Sequence, residues 1–140
     1  CPKDNLRGFK NISTNAVKTK GIQGFILDYL QLVTGKDSRE TIAQHQENVA
    51  QGIAELCRKE NIWCLYSCQI NRGGEIRNGD GILMAVDWLY EIKPVQRAEG
   101  LPQQIYLEHI ATRNMRPVNI GSEVKPSFEL KSGTNFIELL

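Results

Sequence analysis

The chain has 140 residues, 41% of them hydrophobic and 24% charged, with a formal net charge of +1. That is one domain's length with enough apolar side chains for a core, and the near-zero charge excludes a global attraction to nucleic acid, so any such contact must be local. No apolar run approaches the roughly 20 residues of a membrane span, and no charged-then-apolar signal segment opens the chain, so the expectation is a cytoplasmic protein with no membrane partner.

Residues up to Lys20 are polar and irregular, and Ser13, Thr14 and Asn15 offer caps for a short helix over Ala16–Lys20 that ends near Gly21. Gly24–Leu30 reads as a strand without alternation, the pattern of a central parallel-sheet strand covered on both faces. It carries one acid, Asp28, expected to be buried. Asp28 has two readings: a strand-end residue capping the next turn, or a carboxylate placed beside the Mg²⁺ that bridges nucleotide phosphates. Thr34–Ser38 is a turn feeding a long amphipathic helix over Ser38–Glu60, capped by Ser38, with Ile42, Val49, Ile53 and Leu56 on its apolar face. Asn61 can end that helix, and Ile62–Ser67 begins a second buried strand. Strand, crossover helix and strand make a parallel βαβ unit, expected to be right-handed, and so an α/β fold. Gln69 then stands at the C-terminal end of the second strand, on the edge where such sheets bind ligands.

Asn71–Asp80 is a loop of Gly, Asn and charged residues. Ile82–Val86 suits one or two helical turns, and Trp88–Ile92 a third core strand. Gln104–Ile110, Ser127–Leu130 and Phe136–Leu139 alternate as antiparallel strands do, the last two joined by a hairpin turn at Ser132–Asn135. Trp63, Trp88 and Tyr90 are expected in the core. The four cysteines, at 1, 57, 64 and 68, lack zinc-site spacing. Cys64 and Cys68 lie about 13 Å apart along one strand, at roughly 3.3 Å per residue, too far to bridge. No internal repeat occurs, and residues 1–140 read as a single domain.

Three motifs, in order, resemble the C-terminal half of the RecA-like motor domain of DnaB-type replicative DNA helicases of bacteria and phages. Ile26-Leu27-Asp28-Tyr29-Leu30-Gln31-Leu32 is similar to the family's Walker B stretch, Ser67-Cys68-Gln69-Ile70-Asn71-Arg72 to its Ser-Gln-Leu-Asn-Arg segment, and Gly81-Ile82 through Asp87-Trp88 to a following Gly-containing segment. The resemblance implies a partial RecA-like P-loop fold, with parallel core strands and crossover helices followed by antiparallel C-terminal strands. It implies a hexamer that hydrolyses ATP with Mg²⁺, translocates on single-stranded DNA and works with a primase or a helicase loader. Asp28 would hold Mg²⁺ through water, Gln69 would sense the γ-phosphate, and the loop carrying Arg72, Arg77, Asn78, Gly79 and Gly81 would track the DNA. The family's trans-acting Lys-x-Arg pair has no straightforward match. Aligning on Pro117 places Thr112 and Asn114 there, whereas a small slip lets Arg113 and Arg116 serve.

No Gly-x-x-x-x-Gly-Lys-Ser/Thr occurs in the chain, so the phosphate-cradling backbone, Lys and hydroxyl of a P-loop are missing. The start at Cys1 suits a piece of a longer protein, and this chain alone is expected to be inactive toward ATP and to self-associate through an exposed sheet edge. Two alternatives stand beside the helicase: a non-catalytic RecA-like module that binds single-stranded DNA or protein partners, and another RecA-family ATPase.

Overall fold

The computed structural model describes residues 5–69, 80–96, 98–99, 101, 103–113, 116–131 and 135–138. The chain divides into two compact units, Cys1–Val86 and Asp87–Leu140, each built around its own sheet.

The first unit opens with helix α1, Leu6–Lys20, which starts ten residues before the expected short helix. The Asn5 side chain caps it, accepting from the Gly8 N–H at 2.8 Å, and Gly21 closes it at φ 63°, a left-handed conformation that glycine adopts freely. Ser13, read as a cap, is instead buried in mid-helix. Strand β1, Gly24–Leu27, runs into a 3-10 turn at Leu30–Leu32. Helix α2, Ile42–Glu60, begins at Thr41 and not at Ser38, because Thr41 and Gln44 form a reciprocal capping box with bonds of 3.1 and 2.9 Å. Asn61 ends it at φ 52° as expected. Strand β2, Trp63–Tyr66, pairs parallel with β1, and a short helix α3 follows at Asp80–Leu83.

Leu30, Val33, Val49, Ala50, Ile53 and Ile82 form the core of this unit. Phe25 and Leu27 of β1, and Cys64 and Tyr66 of β2, project onto it from the inner face of the sheet, and Phe9 of α1 meets Phe25 edge-on with centroids 4.9 Å apart. The outer face is bare: Ile26, Leu65 and Trp63 are 69%, 61% and 56% exposed. The strands therefore read as apolar on both faces while, among the described residues, only one face is covered. This corrects the expectation of a doubly covered strand with Trp63 in the core. Gly24 lies directly beneath the Trp63 ring, where any Cβ would collide with it.

A bare apolar sheet face in water favours association. Leu65→Lys combined with Ile26→Lys is expected to shift the protein toward monomer in analytical ultracentrifugation. An unchanged distribution of species would show that this face does not drive association.

Burial pushes the Cys64 thiol up to about 12, with Cys57 adding to the effect. Because the thiolate is the reactive form, Cys64 is expected to alkylate with iodoacetamide at pH 8 at least about tenfold more slowly in the folded chain than in urea. Equal rates would contradict this.

The second unit is a four-stranded antiparallel sheet: β3 Trp88–Pro94, β4 Gln104–Thr112, β5 Phe128–Lys131 and β6 Asn135–Glu138, in that spatial order. The expected alternating strands are present. Trp88–Ile92, however, expected as a third core strand with Trp88 in the core, is the edge of this antiparallel sheet, and Trp88 is 58% exposed. A register shift between Leu89 and Tyr90 breaks the alternation there. On one face Lys93 bridges Glu91 at 2.8 Å and Glu108 at 3.3 Å, and on the other Tyr90 meets His109 edge-on. Of the expected hairpin turn at Ser132–Asn135, Asn135 opens β6 and residues 132–134 lie outside the described residues. Among the described residues no helix is long and apolar enough to cross a membrane.

Candidate functional site

In the parallel register Gly24 faces Trp63 and Leu27 faces Tyr66, so the next residues on each strand, Asp28 and Ser67, arrive together at the C-terminal tips. Two backbone bonds stitch the tips: the Ser67 N–H donates to the Leu27 carbonyl at 3.3 Å, and the Leu30 N–H to the Ser67 carbonyl at 2.9 Å. The peptide between Asp28 and Tyr29 is cis. The Ser67 hydroxyl donates to Asp28 Oδ1 at 2.7 Å.

Asp28 is exposed, which corrects the expectation of a buried acid. Its position follows from the two-residue period of a strand: Ile26 and Asp28 share the bare outer face, while Leu27 turns inward. The result is an exposed carboxylate at a parallel-strand tip, with one oxygen oriented by a hydroxyl. Such a group can take a hard cation through its water shell, because Mg²⁺ prefers oxygen ligands and keeps several waters. It can also accept a hydrogen bond from a bound water or hydroxyl.

Ser67 is the residue that motif reading missed. Its partnership with Asp28 depends on strand register, which no periodicity supplies. Gln69 lies two residues beyond Ser67, exposed, and makes no hydrogen bond to Asp28 among the described residues. Gly81 falls in α3, so close to the Glu47 side chain of α2 that a Cβ would collide with it. A packing role for that glycine is thus visible. Arg72, Arg77, Asn78 and Gly79 lie outside the described residues.

The segment after the 3-10 turn is a closed turn and not a phosphate loop. The Lys36 ammonium donates to the carbonyls of Asp37 at 3.1 Å and Glu40 at 2.7 Å, so it already has oxygen partners. Glu40 in turn accepts from the Asp37 N–H and from Asn48, and the Asp37 bond is the main reason its carboxyl sits below the usual carboxylate range. His45 Nε2 lies 2.9 Å from the Val33 carbonyl, with Nδ1 3.4 Å from Glu40.

Arg113 and Arg116 belong to the second unit and are exposed. Arg113 follows β4 directly, its backbone N–H donating to the Asp87 carbonyl at 3.1 Å. The preceding Thr112 has a buried hydroxyl with no partner among the described residues, and Asn114 lies outside them.

Among the described residues no group of three or more His, Cys, Asp or Glu side chains could hold a metal ion. A scan of protein-family models finds none that matches the chain, and a search of curated proteins finds no match.

Proposed function

We propose that this chain is the Walker B half of a RecA-like, ATP-dependent DNA-translocating motor of the DnaB type. The observation that carries the reading is the acid at the tip of β1, held by Ser67 at the matching tip of a parallel partner strand, with the Gln69-Ile70-Asn71-Arg72 stretch running on from it. The exposed strand ends of a parallel sheet are where nucleotides bind in open α/β folds, and an acid there matches what phosphoryl transfer asks of that position.

The residues fit half of a nucleotide site. Bound Mg²⁺ would neutralise charge on the β- and γ-phosphates. Asp28 would hold the water shell of that ion through its exposed carboxylate. Ser67 would keep the carboxylate in one orientation. The Gln69 amide, which can both donate and accept, would follow the terminal phosphate and pass its position to Arg72 and the loop through Gly81. Arg113 and Arg116 would act on the site of a neighbouring subunit in a ring. The phosphate cradle would come from a segment this chain does not contain.

On this reading the 140-residue chain alone shows no ATP turnover. The same chain joined to a phosphate-loop half hydrolyses ATP, and single-stranded DNA stimulates the rate. Turnover by the chain alone that Asp28→Asn abolishes would overturn the proposal.

A further inference from the structure

A second feature of the first unit lies away from the strand tips and owes nothing to the motor reading. Helices α1 and α2 enclose a groove of about 580 Å³. Three lysines line it, Lys10 and Lys18 from α1 and Lys59 from α2, with the side chains of Asn11, Thr14 and Asn15 between them. Helix α1 contains Arg7, Lys10, Lys18 and Lys20 and no acidic residue, although the whole chain is nearly neutral. The groove has two acids at hand. Glu55 pairs with Lys10 at 3.1 Å, and Glu60 accepts from the Thr14 hydroxyl at 3.2 Å. Lys18 and Lys59 are exposed and have no acidic partner among the described residues.

We propose that this groove binds the sugar-phosphate backbone of a single-stranded nucleic acid without reading its sequence. Charge complementarity selects a polyanion. The rest of the lining, Asn11, Thr14 and Asn15, adds amide and hydroxyl groups to the three lysines. Phosphate contacts need only cations, amides and hydroxyls, and the walls present all three beside Glu55, which is paired with Lys10. Lys10 and Lys18 stand eight residues apart on one helix, about 12 Å at 1.5 Å per residue, the spacing of every second phosphate along one strand.

Fluorescence anisotropy with a fluorescein-labelled oligothymidylate is the test, read with amide chemical shifts of the same protein. Three lysines engaging phosphate give a slope of about −2 in log K against log salt, at about −0.7 per contact for single strands. Lys18→Ala with Lys59→Ala, both exposed positions, is expected to weaken binding at least about tenfold near 0.1 M salt and to flatten that slope. Glu55→Gln frees Lys10 and is expected to tighten binding. The shifts should concentrate on Thr14, Lys18 and Lys59. Unchanged affinity in the double variant, shifts confined to other residues, or equal binding of polyglutamate would each overturn the proposal. Loss of binding only on changing Arg72 and Arg77 would overturn it too, while leaving the motor reading intact.

Discussion

Asp28→Asn, in the chain joined to a phosphate-loop half, is expected to reduce ATP turnover by a factor on the order of 10² or more, the scale of losing one preorganised electrostatic contact to a transition state. Asparagine is nearly isosteric and can still accept from the Ser67 hydroxyl that reaches Asp28 Oδ1 at 2.7 Å, so the fold should persist. What disappears is the negative charge that the proposed Mg²⁺ would need. Ser67→Ala separates orientation from charge: it leaves the acid in place and free to rotate, so a smaller loss is expected, with Ser67→Thr recovering part of it. Turnover and its Mg²⁺ dependence, measured on the three variants with circular dichroism to confirm folding, check the ordering. Equal activity in Asp28→Asn and the parent sequence would remove Asp28 from the chemistry.

Ile53→Ala is expected to destabilise the first unit by about 2–5 kcal/mol, combining lost transfer energy with a cavity. Ile53 is 1% exposed, midway along α2, in the same core cluster as Leu30, Val49 and Ile82. Total stabilities of domains are about 5–15 kcal/mol, so this one change removes a large share. Because Leu30 follows Asp28 and belongs to the same cluster, the loss should also loosen the strand tips. Urea unfolding followed by circular dichroism measures the first effect. A change below about 1 kcal/mol would mean that the site collapses around the smaller side chain.

The elements that were legible in the sequence are those set by short-range chemistry. Apolar spacing marks α2, Asn61 suits a left-handed C-cap, and the two apolar runs around it become parallel strands. The alternation after Pro94 becomes an antiparallel sheet. The start of α1 was missed because its cap, Asn5, precedes a stretch whose apolar residues, Leu6 and Phe9, are sparse and gain their value only from packing. Thr41 displaced Ser38 as the cap because only Thr41 has Gln at the reciprocal position. The partner of Asp28 could not be read at all, since a 39-residue separation in sequence becomes a 2.7 Å contact only through strand register. Exposure of Ile26, Trp63 and Leu65 was equally hidden: composition shows that a strand is apolar on both faces, and it does not show that both are covered.

The central claim is that Asp28 belongs to a nucleotide-hydrolysing motor whose phosphate loop lies upstream. The most direct measurement is the coding sequence that precedes the Cys1 codon in its source. The expected result is an in-frame Gly-x-x-x-x-Gly-Lys-Ser/Thr between a strand and a helix, within about 150 residues, the length of one domain. A start codon or an unrelated domain in that interval would contradict it.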